Sequence, residues 1–325
     1  MNKERLESLG RLVGDGGQLA MAQKFTRIIE SGGLYKDIAP EMKYLHPSGP
    51  RGTHQLVQGL PQESPMQPNG FVATTAHPRL LVPKGSLHRL DIQAGEVVLA
   101  VQLVRFAPDT LDSGVFSTWG IAMPAQIARS TPKRREEFFY GRLAAAYALS
   151  ALSVPAPVEA SARRITNTTV GIGMQREPLW PTGIVGSISH CAGLAAAVVV
   201  PRTRLNGIGI DIERVAGVEA CAALQQVALN EIEVAHLRAV SMQCPLEFWL
   251  TAAFSAKESF YKGVFRDVGR FFGFEVAQLR AVDLRRKCLR FQLTESLSDH
   301  FRLGDAFEVS FERLDSQTVM THFSW

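Results

Sequence analysis

Gly209-Ile210-Asp211-Ile212-Glu213 and Phe254-Ser255-Ala256-Lys257-Glu258-Ser259-Phe260-Tyr261-Lys262 are the two stretches on which the reading of this chain turns. The first is rich in β-branched residues, the pattern of a strand, and it ends in two carboxylates. Side chains two apart on a strand leave the same face, so Asp211 and Glu213 stand side by side. In a buried element two such carboxylates repel each other and need a cation or a basic partner; at an exposed strand end they need neither. The second stretch reads as helix, with Glu258 and Lys262 one turn apart on one face. That spacing suits a simple surface ion pair. It equally suits a third carboxylate and a lysine brought beside Asp211 and Glu213. Three carboxylates and a lysine are the groups that hold a hard divalent cation such as Mg2+ against a phosphate.

Outward from these segments, strand and helix signals mix without regular alternation, which points to an α+β fold and not to a doubly wound sheet. Val97 to Phe106 alternates as a strand. Ser130-Thr131-Pro132 is a helix start, a capping hydroxyl before a proline, and the helix is expected from Lys133 to about Leu152, stopped by Pro155 and Pro157. Residues 158 to 183 read as irregular. Strands are expected at Ile184 to Ser189, Leu194 to Val200 and Ile208 to Ile212, and helices at Ala222 to Val240 and Leu246 to Val264. Short strands follow near Cys288 to Leu293, Phe307 to Phe311 and Thr318 to Phe323.

Residues 1–95 read differently, as a poorly ordered or accessory extension. A short helical pattern runs through Leu6 to Ile29, and a stretch rich in Gly, Pro, Ser, Gln and His, without period, spans Gly32 to Lys84. Order is expected to begin near Glu96. Neither Gly14-Asp15-Gly16-Gly17 nor Pro83-Lys84-Gly85-Ser86 has the residues of a phosphate loop. His46, His54, His77 and His88 lack ligand spacing and read as surface histidines.

The 325 residues carry a net charge of +4, from 35 basic and 31 acidic side chains. That suits an acidic ligand, but no dense basic stripe with interleaved aromatics marks a nucleic-acid binder. Cys191, Cys221, Cys244 and Cys288 show no zinc-ligand spacing and read as free buried thiols of a reducing compartment. No apolar run reaches the length of a membrane span, and the start lacks a secretory pattern, so a cytoplasmic location is the expectation.

Two further groups could meet an anion. Gly186-Ser187-Ile188-Ser189-His190 ends a strand, where Ser189 and His190 could donate hydrogen bonds or simply close a turn. Arg134, Arg135 and Arg142 share the capped helix; Arg135 and Arg142 fall nearly in line, with Arg134 on an adjacent face. Such an edge grips phosphates or is merely solvated.

Taken together and in order, five strings resemble the 4′-phosphopantetheinyl transferases of the larger pseudo-dimeric type, including those of siderophore and polyketide pathways. They are Lys133-Arg134-Arg135-Glu136-Glu137-Phe138 with Gly141-Arg142, then Pro178-Leu179-Trp180-Pro181 with Gly183, Gly186 to His190, Gly209 to Glu213, and Phe254 to Lys262. The resemblance covers about residues 97–325. It implies two similar halves, 96–205 and 206–325, each a small antiparallel sheet packed on a long helix, with the site at their junction and a monomer as the working unit. It implies transfer of phosphopantetheine from coenzyme A to a serine of an acyl or peptidyl carrier protein, leaving 3′,5′-ADP. By this resemblance Asp211, Glu213 and Glu258 hold Mg2+, Glu258 helps to deprotonate the serine, and Lys262 neutralises the pyrophosphate. His190 with Ser189 meets the 3′-phosphate of coenzyme A, and Arg134, Arg142 and Arg176 hold phosphates at the adenosine end. Many relatives carry Gly-Lys after the second metal segment, whereas this chain has Gly269-Arg270. Two alternatives remain at this point: a non-catalytic module that binds carrier protein or coenzyme A, and a metal-dependent nuclease. The nuclease reading wants an acidic residue, one spacer and a lysine on the second strand, whereas here Arg214-Val215 follows Glu213 and Lys262 is on a helix.

Overall fold

The computed structural model describes residues 82–112, 114–153, 170–191 and 193–325. The helical pattern at Leu6 to Ile29, the unpatterned stretch up to residue 81, His46, His54, His77 and the helix stop at Pro155 and Pro157 lie outside the described residues.

A hairpin opens the described chain: β1 (Gly85–Ala94) pairs antiparallel with β2 (Val97–Phe106). The start of order near Glu96 is therefore corrected, since Gly95 and Glu96 form the hairpin loop, with Gly95 at φ +60. Two one-turn helices, α1 (Val115–Thr118) and α2 (Ala125–Ala128), lead to the long helix α3 (Pro132–Ser153). Thr131 caps α3 as expected, its Oγ1 accepting from the Arg134 amide at 3.2 Å. A two-stranded ribbon, β3 (Gly171–Ile172) and β4 (Pro178–Leu179), precedes β5 (Ile184–Cys191) and β6 (Leu194–Pro201). The first sheet has the order β1-β2-β6-β5.

The second half begins with β7 (Ile208–Arg214), followed by α4 (Val218–Val227), α5 (Glu231–Ala239) and α6 (Leu246–Val268). The single helix expected from Ala222 to Val240 is thus two. Asn230 breaks it by forming a capping box with Glu233, each side chain bonding the other's backbone amide, at 3.0 and 2.8 Å. Strands β8 (Ala277–Asp283), β9 (Cys288–Leu293), β10 (Ala306–Asp315) and β11 (Thr318–Ser324) complete a sheet of order β7-β11-β10-β9-β8. Each sheet is antiparallel and each packs on one long helix, the expected α+β arrangement.

The layering follows from the alternation of apolar residues. In β6, Ala195, Ala197 and Val199 pack toward α3, while Ala196, Val198 and Val200 pack toward Ile208, Ile210 and Ile212 of β7. A strand covered on both faces needs a continuous apolar run, and Leu194 to Val200 is one. The alternate residues of β7, Gly209 and Asp211, turn toward α6. At Gly209 a side-chain carbon would stand 1.9 Å from the Ser259 carbonyl oxygen, so the helix backbone rests directly on the strand. That close approach brings the α6 side chains onto β7. Gly209→Ala should therefore cost about 1–3 kcal/mol or more through overpacking; denaturant unfolding measures it, and an unchanged midpoint would mean that α6 does not seat on β7 as described.

Candidate active site

The site lies where the two sheets meet. Strands β5 and β7 are edge strands lying side by side, and serine hydroxyls join them. Ser187 Oγ accepts from the Ile210 amide at 3.0 Å, and Ser189 Oγ accepts from the Ile212 amide at 3.1 Å. Ser189 also donates to Asp211 Oδ1 at 2.9 Å. Alternation along β5 separates Ser189 from its neighbour: Ser187 and Ser189 are buried against β7, whereas His190 faces α3. The two residues expected to act as a pair on one phosphate thus serve two different clusters.

The acidic cluster forms on β7 and α6. Asp211 and Glu213 are only 4 % and 5 % exposed. Lys262 reaches across from α6, its Nζ 2.6 Å from Asp211 Oδ1, 3.2 Å from the Ile210 carbonyl oxygen and 3.3 Å from Ser189 Oγ. Burial alone would lower the Lys262 pKa, but Asp211, Glu258 and Glu213 outweigh it and raise it. Glu258 lies one turn before Lys262; burial pushes its carboxyl up to about 7, Lys262 opposes the rise and Asp211 adds to it.

Among the described residues no three His, Cys, Asp or Glu side chains close as a ready-made metal cluster. Two features nevertheless fit a divalent cation. Asp211 Oδ2 is buried without a hydrogen-bond partner, and Glu258 carries a carboxyl that burial keeps from ionising fully. Mg2+ takes a few carboxylates and fills its shell with water and substrate phosphate oxygens, so it does not need a closed protein cage. Asp211, Glu213 and Glu258 could hold it in that manner.

The cationic cluster lies on the α3 side of β5. A cavity of about 240 Å³ is lined by Arg134 and Arg142 of α3, Arg176 of the β3–β4 turn and His190 of β5. Gly141 permits this packing: a side-chain carbon there would stand 3.1 Å from Ile188. Arg134 donates to His190 Nε2 at 2.9 Å. A guanidinium only donates, so Nε2 accepts and the ring's proton sits on Nδ1. Burial, then Arg134, Lys262 and Lys133, hold the His190 pKa down to about 3, leaving the ring neutral. Arg142 donates to the Gly171 carbonyl at 3.1 Å, lies over the Phe138 ring and keeps a buried Nε without a partner. Burial, then Arg134, lowers the Arg142 pKa to about 10. Arginines gathered this closely are arranged for an anion. Arg135 points elsewhere, to the Ala128 carbonyl.

The structure thus gathers Asp211, Glu213, Glu258, Lys262 and Ser189 in one cluster and Arg134, Arg142, Arg176 and His190 in the other. Lys257, beside Glu258 in sequence, joins neither. It is 3 % exposed, pairs with Glu233 at 2.7 Å and ties α6 to the Ala228 and Phe274 carbonyls. Tyr261 escaped the sequence reading, although its position three after Glu258 places it one turn along the same helix face. Its hydroxyl is buried without a partner, and with Glu258, Phe271, Phe272 and Phe274 it lines a narrow aromatic pocket.

Comparison with known proteins bears on this arrangement. Residues 123–200 match the family described as 4′-phosphopantetheinyl transferase N-terminal domain, and residues 207–312 match the 4′-phosphopantetheinyl transferase superfamily. The chain is 39 % identical over 151 residues to enterobactin synthase component D of Salmonella typhi, covering 46 % of this chain and 56 % of that one. It is 38 % identical over 157 residues to 4′-phosphopantetheinyl transferase PptT of Mycobacterium tuberculosis, covering 47 % and 61 %. It is 36 % identical over 161 residues to 4′-phosphopantetheinyl transferase Npt of Nocardia iowensis, covering 49 % and 65 %. The match therefore spans little more than half the length of the enterobactin synthase relative.

The raised Glu258 carboxyl carries a sign that can be measured. Below its ordinary value of 4.5 it is protonated in both folded and unfolded chains; between 4.5 and about 7 only the unfolded chain ionises, so its contribution to stability falls as pH rises and stays low above 7. Glu258→Gln should thus stabilise the metal-free protein near pH 8 by on the order of 1–2 kcal/mol and leave it little changed near pH 4.5. Denaturant melts in chelator at the two pH values test this; equal effects at both would mean that the carboxyl is not held buried against ionisation.

Proposed function

The chain belongs to the 4′-phosphopantetheinyl transferase superfamily, and we propose that it moves 4′-phosphopantetheine from coenzyme A to a serine hydroxyl of an acyl or peptidyl carrier protein. The bond that forms joins the serine oxygen to the pantetheine-bearing phosphorus. The bond that breaks joins that phosphorus to the bridging oxygen of the pyrophosphate, and 3′,5′-ADP leaves with that oxygen. The observation that carries this reading is the pairing of the two clusters across β5 and β7, with Lys262 acting electrostatically on both His190 and Glu258. Coenzyme A presents two anionic groups, a 3′-phosphate and a pyrophosphate, and the junction offers a place for each.

Asp211, Glu213 and Glu258 would hold Mg2+, which when bound supplies positive charge to the pyrophosphate. Lys262 would meet the same group, with Ser189 fixing Asp211 and Lys262 in place. Glu258 suits a proton acceptor for the serine, because a carboxyl near 7 is partly ionised at neutral pH and still basic enough to take a proton. Arg134, Arg142, Arg176 and His190 would hold the adenosine-end phosphate. Most of the rate gain in such a transfer comes from position and charge, so the protein needs no nucleophile of its own.

Both halves of one chain supply the two clusters, with Ser189 of the first half joining Asp211 and Lys262 of the second, which supports a monomer as the working unit. The four cysteines are all buried and free, which suits the cytoplasm. Relatives named as enterobactin synthase components make a peptidyl carrier of that kind of assembly the first to try.

Intact mass of an apo carrier mixed with the protein, coenzyme A and Mg2+ tests the reading. A gain of one phosphopantetheine arm, lost in chelator, is expected. Asp211→Asn should slow transfer at least about 100-fold while the protein still binds coenzyme A. Unaltered turnover in Asp211→Asn would remove the metal role, and binding without transfer to any carrier would leave a binding module.

A further inference from the structure

Among the described residues Glu137 is the one acidic residue lining the cavity of Arg134, Arg142, Arg176 and His190. On charge alone a carboxylate is misplaced in a pocket for phosphate. Its geometry accounts for it: Oε2 lies 3.4 Å from Arg134 and 3.9 Å from His190 Nδ1, and Oε1 lies 3.9 Å from Lys133. The buried His190 Nδ1 has no hydrogen-bond partner, and Glu137 is the carboxylate beside it.

We propose that Glu137 is a positioning residue that makes His190 a phosphate ligand, by accepting the Nδ1 proton's hydrogen bond while Nε2 takes a second proton from solvent as the phosphate arrives. This rests on the reading of the cavity as a phosphate site. In the free protein Arg134 donates to Nε2, so the ring offers nothing to an anion from that atom. Phosphate oxygens are stronger acceptors than a neutral imidazole nitrogen and draw Arg134 to themselves. Nε2 must then carry a proton to join the contact. A neutral ring could move its own proton from Nδ1 to Nε2, but a bare Nδ1 would face the Glu137 carboxylate lone pair to lone pair. A ring protonated on both nitrogens instead donates to Glu137 on one side and to phosphate on the other.

The competing charges can be ranked. Arg134 and Lys133 from α3 and Lys262 from α6 oppose a charged ring, and Arg142 and Arg176 line the same cavity. With no ligand they win. Phosphate adds negative charge at the Nε2 side, and Glu137, 3.9 Å from Nδ1, has only a short shift to make to accept its hydrogen bond. Glu137 Oε2 lies 3.9 Å from Nδ1 and 3.4 Å from Arg134, so it faces two cationic groups of the contact, and their attraction exceeds its repulsion of the phosphate. Loss of the carboxylate therefore weakens phosphate binding although it removes a negative charge.

Calorimetric titration near pH 8 in two buffers of different ionisation heat, with coenzyme A and with 3′-dephospho-coenzyme A, tests the proposal. The wild type should take up about one proton more with coenzyme A than with the dephospho form. Glu137→Gln should abolish that difference, weaken coenzyme A at least about tenfold and change the dephospho form by less than about threefold. Wild-type affinity for coenzyme A in Glu137→Gln, or equal weakening of both ligands, would overturn it. A wild type that does not distinguish the two ligands would overturn the phosphate reading of the cavity, and this inference with it. Should Glu137→Gln fold poorly, nitrogen-15 NMR of the wild-type His190 ring decides: protonation of both nitrogens on saturation with coenzyme A supports the proposal, and a neutral ring overturns it.

Discussion

Ser187 and Ser189 hold the two halves of this protein in register. The edges of two sheets meet at β5 and β7, and an edge strand presents backbone amides that must be satisfied when buried. Here the Ile210 and Ile212 amides bond to serine hydroxyls of the neighbouring strand. A hydroxyl has both a proton and lone pairs, so Ser189 accepts from Ile212 and still donates to Asp211. One side chain thereby fixes the register of the halves and the orientation of the Asp211 carboxylate. A continuous ladder across this junction would use backbone carbonyls, which have no proton to give Asp211.

The helix on the other side of β7 imposes the second constraint. Glycines at 207, 209 and 263 let strand and helix backbones touch, since a side-chain carbon at Gly209 would stand 1.9 Å from the Ser259 carbonyl oxygen and one at Gly207 2.1 Å from that of Gly263. Buried hydroxyls then set the rotation of the helix: Ser255 and Ser259 both bond Thr321, at 2.9 and 2.7 Å, and Thr321 pairs with Asp211 across β11 and β7. With the helix pinned at these points, Glu258 and Lys262 have little choice of position. The burial that fixes them is also what raises the Glu258 carboxyl.

What could be read in the sequence follows from this division of labour. Residues that pack by period were legible: Cys288 to Leu293 is a strand with the expected ends, and Pro132 opens the long helix behind a capping threonine. The first strand was not legible because β1 is the outermost strand of its sheet and carries Ser, His, Arg, Asp and Gln, which an exposed edge tolerates, and its apolar alternation is confined to Leu90, Ile92 and Ala94 at one end. The extra strand β8 escaped because its alternation, Ala277, Leu279 and Ala281, is short and the strand is broken by a register shift between Leu279 and Ala281. At the site, spacing identified which residues share an element but not which way the neighbouring element lies. Arg134 and not Arg135 faces the cavity because β5 covers that side of the helix. Ser189 and His190 part company because the two faces of one strand look toward different halves. Lys257 could not be told from Lys262 until its partner Glu233 arrived from another helix.

The charges left over at the junction define what it lacks. On one side of β5, burial and mutual repulsion lower His190 and Arg142, so positive charge is in excess there. On the other side burial and Asp211 raise Glu258, and Asp211 keeps an oxygen with no donor, so negative charge is held there without enough cation. Salt bridges within the protein cancel each imbalance only in part, Lys262 with Asp211 at 2.6 Å on one side and Arg134 with Glu137 at 3.4 Å on the other. At the junction the two clusters are kept apart by the strands that carry them. Neutralising one needs an anion, and neutralising the other needs a cation. A ligand with a phosphate at one end and a pyrophosphate that brings a divalent cation at the other satisfies both at once, and its binding energy comes from charges that folding left uncompensated.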